Sequence, residues 1–369
     1  MSASEDDARF MQEAIRLGLL HLGQTSTNPS VGCVVVRDGQ IVGRGTTAVG
    51  GRPHAEPQAL AEAGDWAFGA TAYVTLEPCS HHGKTPPCAN ALIASGVARV
   101  VISVTDPDPR VSGRGISMLR DAGIEVEAGL LEEEGKRSLA AYLTRQTKNR
   151  PYVILKLAVS ADGMIGRKGG GQIAITGPLA RAEVQKLRAE TDAILVGIGT
   201  AIADDPLLTV RIPGLEDRSP IRIVLDEDLQ LPLDSKLVST ARQVPVIVIA
   251  REPPRFDNSE DKAFLARRQA LDEAGVEVVQ SDPSRPEELL PALASRGISS
   301  VLVEGGARTA KLFLDAGYVD RILLYQGPGM IGQGGIESPV TKTDMPSGFL
   351  HRGTSIFGDD RLDEYEREV

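Results

Sequence analysis

The chain has 369 residues, of which 41% are hydrophobic, and a formal net charge of −10; that is enough apolar material for two buried cores. The acidic balance argues against a nucleic-acid-editing protein, which would want a basic groove, although a small phosphorylated ligand needs only a local Lys or Arg cluster. Three cysteines are too few, and odd in number, for a disulfide framework, and neither a membrane-spanning run nor a signal-peptide core stands out, so a cytoplasmic protein with no membrane partner is expected.

Ser4 to Asp7 forms an S-x-x-D capping box ahead of Phe10, Met11, Ala14, Ile15 and Leu22, which recur at helical spacing. After a Thr27-Asn28-Pro29 loop, apolar runs at 31–36 and 41–43 flank Arg37-Asp38-Gly39-Gln40 as a hairpin. A helix is expected over 54–63, with His54 in its first turn, then a strand over 71–76 and a helix over 88–95. A strand over 99–104, a helix over 116–122 ended by Gly123, a strand over 125–130 and a helix over 132–146 follow. Alternation of this kind implies a sheet covered by helices on both faces.

This half contains the chemistry-bearing spacing. His54-Ala55-Glu56 reads H-x-E, and Pro78-Cys79 is followed by Cys88 with eight residues between the cysteines. One imidazole and two thiolates are soft ligands that suit Zn2+, and three protein ligands leave a fourth tetrahedral position open for water. Glu56 is too near His54 in sequence to share its helix face; it can reach past the metal and shuttle protons. H-x-E followed by P-C…C resembles the zinc deaminases, whose two cysteines are closer together. A closed structural zinc site is the alternative, and His81 or His82 could complete it.

The basic link Lys148-Asn149-Arg150-Pro151 is the expected boundary between domains over 1–147 and 151–369. Beyond it, strands are expected at 152–157, 193–196, 221–225, 244–249, 276–279, 300–303 and 321–325. Helices are expected near 178–191, 262–274, 287–295 and 308–316, with a surface loop at 253–261 and a hairpin after 341. Three segments stand out. Lys156-Leu157-Ala158-Val159-Ser160-Ala161-Asp162-Gly163 runs from a strand into a turn. Gly197-Ile198-Gly199-Thr200 leads into 203–211. Val303-Glu304-Gly305-Gly306 joins a strand to a helix, and such a glycine pair lets backbone approach a phosphate at a helix N-terminus. The G-x-G-x-x-G spacing is absent, so a Rossmann domain is not indicated. Taken singly, Arg188 reads equally well as a solvated helix position and Arg211 as a strand end.

Four segments of the first half carry a more specific likeness: Thr27-Asn28-Pro29-Ser30-Val31-Gly32-Cys33-Val34, His54-Ala55-Glu56, Thr75-Leu76-Glu77-Pro78-Cys79 through Cys88, and Asp106-Pro107-Asp108-Pro109 through Gly113-Arg114-Gly115. Together with the three segments of the second half, they resemble the RibD family of riboflavin biosynthesis, in which a pyrimidine deaminase is fused to a pyrimidine reductase. The resemblance covers nearly the whole chain. It implies an α/β chain in which a cytidine-deaminase-like three-layer domain precedes a dihydrofolate-reductase-like domain. It implies Zn2+ on His54, Cys79 and Cys88, Glu56 as acid/base residue, and Asn28, His81 and Lys84 as contacts to a small phosphorylated pyrimidine. In the second half it implies NADPH on Ala158, Thr200, Asp204 and the turn Gly306, Ala307, Arg308, Thr309, Ala310 and Lys311, with substrate contacts from Arg188, Leu208, Arg211 and Glu304.

One stretch departs from the family, whose members carry Ser, then Gln or Lys, then Trp directly before Ile-Thr. Here Gln172-Ile173-Ala174-Ile175-Thr176 puts Gln172 at a substrate position and Ala174 at a cofactor position that is otherwise aromatic. A homo-oligomer, dimer or tetramer, is expected. Two other readings stay open: a zinc deaminase of another base or nucleoside whose second half only binds a nucleotide, and a binding protein with structural zinc.

Overall fold

A computed structural model describes residues 5–81, 86–108, 112–169, 171, 173–252 and 259–368. The chain divides into two compact units, Met1–Arg150 and Pro151–Val369. The first unit keeps the residues that the sequence left as a link, because the last helix runs through Lys148, Asn149 caps it in a left-handed conformation and Arg150 is buried.

The first unit runs α1 (Glu5–Gly18), β1 (Gly32–Arg37), β2 (Gln40–Thr46), α2 (Ala55–Ala63), β3 (Thr71–Leu76), α3 (Cys88–Ser95), β4 (Arg99–Val104), α4 (Arg114–Asp121), β5 (Glu125–Ala128), α5 (Glu132–Ser138) and α6 (Ala140–Lys148). Its sheet has the order β2-β1-β3-β4-β5, antiparallel through β2-β1-β3 and parallel through β3-β4-β5. The two-residue period of the strands sorts their side chains into two layers. Val34, Val36, Tyr73 and Val101 meet Phe10, Met11 and Ala14 of α1. Cys33, Val35, Ala72, Val74, Val100 and Ile102 meet Ala55 and Ala59 of α2 and Ala89 and Leu92 of α3. The helix expected over 132–146 is instead broken at Leu139 (φ −105°, ψ 9°), where the turn buries Leu139 in the same core as Tyr142.

The backbone of α2 approaches β2 closely at two glycines. A Cβ added at Gly43 or Gly45 would run into the carbonyl oxygen of Ala59 or Ala55, so only glycine permits this approach.

The second unit runs β6 (Tyr152–Val159), β7 (Met164–Arg167), α7 (Pro178–Ala189), β8 (Ala193–Gly197), α8 (Ile198–Asp204), β9 (Ile221–Leu225), α9 (Lys236–Ser239), β10 (Val246–Ala250), α10 (Ser259–Ala274), β11 (Glu277–Gln280), α11 (Pro286–Ser295), β12 (Ser300–Glu304), α12 (Ala307–Asp315), β13 (Arg321–Gln326), β14 (Gly335–Glu337), β15 (Phe349–Phe357) and β16 (Asp360–Arg367). A nine-stranded sheet has the order β11-β10-β9-β8-β12-β6-β13-β16-β15. It is parallel from β11 to β13, and the final hairpin adds two antiparallel strands. Its central strands read as continuous apolar runs because both faces are covered. Ile154, Ile194, Val224 and Val248 face α7, α9 and α10, whereas Leu155, Leu195, Ile223 and Ile247 face α11 and α12.

Two features lacked a local signal. α8 forms over a segment for which no element was expected, and β7 pairs with the distant β14. Among the described residues no helix is long and apolar enough to cross a membrane.

Candidate functional site

His54 is the N-cap residue of α2, one position ahead of the turn expected to hold it. Gln58 secures that corner: its Nε2 donates to the carbonyls of His54 (2.9 Å), Pro53 (3.1 Å) and Thr46. Cys88 opens α3, and Cys79 lies in the loop after β3. His54 Nδ1 is 3.3 Å from Cys88 Sγ and 3.8 Å from Cys79 Sγ, and the three candidate ligand atoms lie within 4.8 Å of one another. Zinc–ligand bonds of the usual length place the ligands of a tetrahedral site roughly 3.5 Å apart, so this triad fits the ion.

The electrostatics agree. No side chain caps α3; its first amide, Cys88 N–H, donates to Cys79 Sγ at 3.3 Å, a placement that favours thiolate. The Cys88 thiol, donating to Cys79, holds the Cys79 thiol down to about 4, while that neighbouring sulfur, helped by burial, pushes Cys88 far above the usual thiol range. Two sulfurs that cannot both lose a proton on their own form a pair that a divalent cation completes. Glu56 is only 4% exposed, and burial first, then Cys79, raise its carboxyl above the ordinary range.

The remaining first-half residues are less gathered. The Asn28 side-chain amide packs over Gly51 while Thr25 Oγ1 donates to the Asn28 carbonyl at 2.7 Å. His81 is exposed. His82 and Lys84 lie outside the described residues, among which the triad has no fourth protein ligand.

In the second unit the candidate residues converge at the carboxyl ends of parallel strands, where ligands bind in open α/β sheets. Arg188 is buried rather than solvated. It grips Glu304 at the end of β12 with two parallel bonds, Nε to Oε1 at 2.8 Å and Nη2 to Oε2 at 2.9 Å, and sends a third from Nη1 to the Thr209 carbonyl at 3.2 Å. Burial would raise the Glu304 carboxyl, but Arg188, Lys156 and Arg211 outweigh it and hold the group below the usual carboxylate range. Lys156 is the register partner of Glu304 across β6 and β12. Burial pushes its amine below the ordinary lysine range against the pull of Glu304.

Beside this cluster, Gly305 and Gly306 take positive φ (74° and 76°) and lead into α12. Thr200 of α8 packs against both glycines, and Thr309 packs against Gly197 and Gly306. Asp204 ends α8 with its carboxyl raised by burial, and Ala158 stands opposite Tyr325 on β13. Not every candidate points a side chain inward. Leu208 and Ala310 direct theirs into the core, leaving only backbone for a ligand. Ala307 is half-buried and Arg308 exposed at the start of α12, and Lys311 is exposed and paired with Asp315 at 3.0 Å. The Arg211 side chain is exposed, while its backbone N–H donates to Gln185 Oε1 at 2.8 Å. Ala174 is exposed, and Gln172 lies outside the described residues.

Two residues fell within quoted motifs without a role. Lys156 had a usable signal, a single lysine in the otherwise apolar run 152–159. Glu77 had a weaker one, a carboxylate between an apolar strand and a cysteine ligand.

Comparison with known proteins draws both sites together. Residues 4–104 match the cytidine and deoxycytidylate deaminase zinc-binding region, and residues 151–355 match the RibD C-terminal domain. The chain is 42% identical over 330 residues to riboflavin biosynthesis protein RibD of Aquifex aeolicus, covering 89% of each. It is 41% identical over 334 residues to that of Escherichia coli, covering 88% of this chain and 89% of the relative. Its fold matches Acinetobacter baumannii RibD with TM-score 0.85 and 35% identity over 99% of both chains. It also matches a diaminohydroxyphosphoribosylaminopyrimidine deaminase/5-amino-6-(5-phosphoribosylamino)uracil reductase of Thermotoga maritima with TM-score 0.84 and 36% identity over 98% of both. The first domain is thus cytidine-deaminase-like and the second dihydrofolate-reductase-like, as expected. With such identity sustained along nearly the full length of both partners, the chain belongs to the RibD family of riboflavin-biosynthesis enzymes, a deaminase joined to a reductase.

Proposed function

We propose that this chain carries out two consecutive steps of riboflavin biosynthesis. The first is hydrolytic deamination of 2,5-diamino-6-(5-phosphoribosylamino)pyrimidin-4-one; the second is NADPH-dependent reduction of the ribosyl group to ribityl. The observation that carries this reading is the presence on one chain of the His54–Cys79–Cys88 triad beside buried Glu56 and of the Lys156–Glu304–Arg188 cluster.

In the first step His54, Cys79 and Cys88 hold Zn2+, which when bound acts as a Lewis acid and makes water a nucleophile near neutral pH. Glu56 takes the two protons of the attacking water in turn, giving one to the ring nitrogen beside the attacked carbon and the other to the amino nitrogen, which departs as ammonia as the ring carbon gains a carbonyl oxygen. Its buried setting, with a raised carboxyl, suits a group that must hold a proton and give it back. Asn28, His81 and Lys84 contact the substrate, Lys84 through the phosphate or a ring carbonyl.

In the second step bound NADPH would supply a hydride to C1′ as the C1′–O4′ bond of the sugar ring opens and its oxygen takes a proton from solvent, and the protein positions the two ligands. The turn from Gly306 to Lys311 presents the amides of the α12 N-terminus to cofactor phosphate, with Thr200, Asp204 and Ala158 along the cofactor. Arg188, Arg211, Glu304 and the Leu208 backbone contact the pyrimidine nucleotide, and Gln172 is assigned to it by its place in the sequence. Ala174 leaves the nicotinamide side without an aromatic wall, but the backbone is in place: Gly177 caps α7 with Pro178 in the first turn, and its N–H is fixed by Asp360 Oδ2 at 2.7 Å.

A cytoplasmic setting fits three cysteines that are all free, and assembly as a dimer or tetramer fits an edge strand, β15, that exposes Leu350 and Ile356; light scattering on the purified chain measures that assembly. The deciding experiment incubates the chain with the diaminopyrimidine nucleotide, with and without NADPH, and weighs the products. Deamination without NADPH and reduction only with it are expected. Deamination alone, from folded protein that binds NADPH, would favour a deaminase whose second domain does not reduce.

A further inference from the structure

We propose that Glu77 is a positioning residue for the metal centre: its carboxylate fixes the Cys79 backbone by gathering four main-chain N–H groups, from Asp106 and from the N-terminus of α4. The proposal rests on Cys79 being a zinc ligand.

Glu77 follows directly on β3, two residues before Cys79, and is 3% exposed. Its Oε2 accepts from the amides of Asp106 (3.3 Å) and Gly113 (3.0 Å), and its Oε1 from those of Gly115 (3.0 Å) and Ile116 (3.3 Å). Its own N–H donates to the Val104 carbonyl at 2.9 Å. Among the described residues its carboxylate pairs with no Lys or Arg. The first-turn amides of α4 answer its charge instead, as helix N-termini do for anions. Gly115 lies directly on the next residue, since a Cβ there would run into the Pro78 carbonyl oxygen.

Cys79 is therefore held from two directions. From α3, Cys88 N–H reaches its Sγ at 3.3 Å and Ala89 N–H its carbonyl at 3.2 Å. From α4, Glu77 and Gly115 lock the two residues that precede it. The lock extends further, because Asp106 also accepts from Asp108 N–H at 2.9 Å and from the Tyr142 hydroxyl of α6 at 3.1 Å on each oxygen. A buried carboxylate satisfied by amides drawn from both ends of a loop is an outer-sphere support of the kind that orients metal ligands. Of the three ligands, Cys79 needs it most: His54 caps one helix and Cys88 opens another, whereas Cys79 sits in a loop.

The test uses the full-length zinc-loaded chain and two variants. Glu77→Gln keeps the shape but turns an NH2 group toward amides that need an acceptor. Gly113→Ala leaves Glu77 intact and strains a residue at φ 74° that donates to it. Zinc transfer to an excess of chromophoric chelator should speed up about 10–100-fold in Glu77→Gln and by less, in the same direction, in Gly113→Ala. Reduction by the second domain should not change. Melting of the first domain separates positioning from general support: zinc should raise the melting temperature less in Glu77→Gln than in the parent, with the metal-free forms close together. Zinc release at the parental rate, or equal loss of melting temperature with and without metal, would overturn the proposal. If Glu77→Gln does not fold, parental zinc release by Gly113→Ala overturns it alone. A parent chain without stoichiometric zinc would sink the zinc assignment instead, a separate outcome.

Discussion

The two candidate sites handle buried charge in opposite ways. In the first unit, two sulfurs and a carboxylate gather between positions 54 and 88, and the neutralising cation has to come from outside the chain. In the second, Glu304 is neutralised by the chain's own Arg188, 116 residues away in sequence, and by Lys156. One site is unfinished until metal arrives; the other is internally balanced before any ligand binds. The first should therefore be sensitive to chelators and the second to single substitutions that strand a charge.

The sharpest way to break this contrast is to remove zinc. Chelation should abolish ammonia release while leaving NADPH oxidation with supplied deaminated intermediate at its starting rate. Equal loss of both, from a second domain still folded, would mean that the sites are not independent. Next in size, Glu56→Gln should lower deamination by about 10²–10⁴-fold, the usual cost of losing a positioned proton-transfer group, with zinc content unchanged by elemental analysis. Near-parental ammonia release would remove Glu56 from the mechanism.

On the other side of the comparison, Arg188→Met should destabilise the second unit by about 3–5 kcal/mol in denaturant unfolding, because it leaves the buried Glu304 carboxylate without its two hydrogen-bond donors; deamination should survive. The pair also sets an acid sensitivity. The folded state holds Glu304 below the ordinary carboxylate value of 4.5. Its contribution to stability is thus fully present above that value and is lost as pH falls through the lower folded one. Glu304→Gln should flatten this part of the acid profile, and an unchanged profile would show that other carboxylates dominate. The smallest effect is expected at Ala174. Because it is exposed, Ala174→Trp adds an aromatic face without overpacking and should lower KM for NADPH by about threefold to tenfold. No change would place this residue away from the nicotinamide.

The contrast also explains what the sequence could reveal. The candidate metal triad was legible because its residues lie close together in a spacing with few other uses, and the three-layer order followed from alternating apolar periods. The Arg188–Glu304 pair was not: each residue alone fits a solvated surface, and only the fold brings them together. α8 was hidden because Gly199 in its first turn lowers local helix propensity, which the packing of Ala201 into the core overrides. The β7–β14 ladder depends on contacts between segments with no local mark, and the position of Glu77 marks the residue but not the four amides it gathers.

The close seating of α2 on Gly43 and Gly45 has a consequence for how variants of this chain would be scored. The hairpin acts as a stop that sets the height of His54 relative to two cysteines carried by other elements. A side chain at either glycine would lift the helix and take the imidazole with it, leaving both sulfurs behind. The result would be a domain that expresses and keeps its sheet yet leaves the cell without metal. A screen for solubility would pass such variants, whereas a screen for zinc content would reject them.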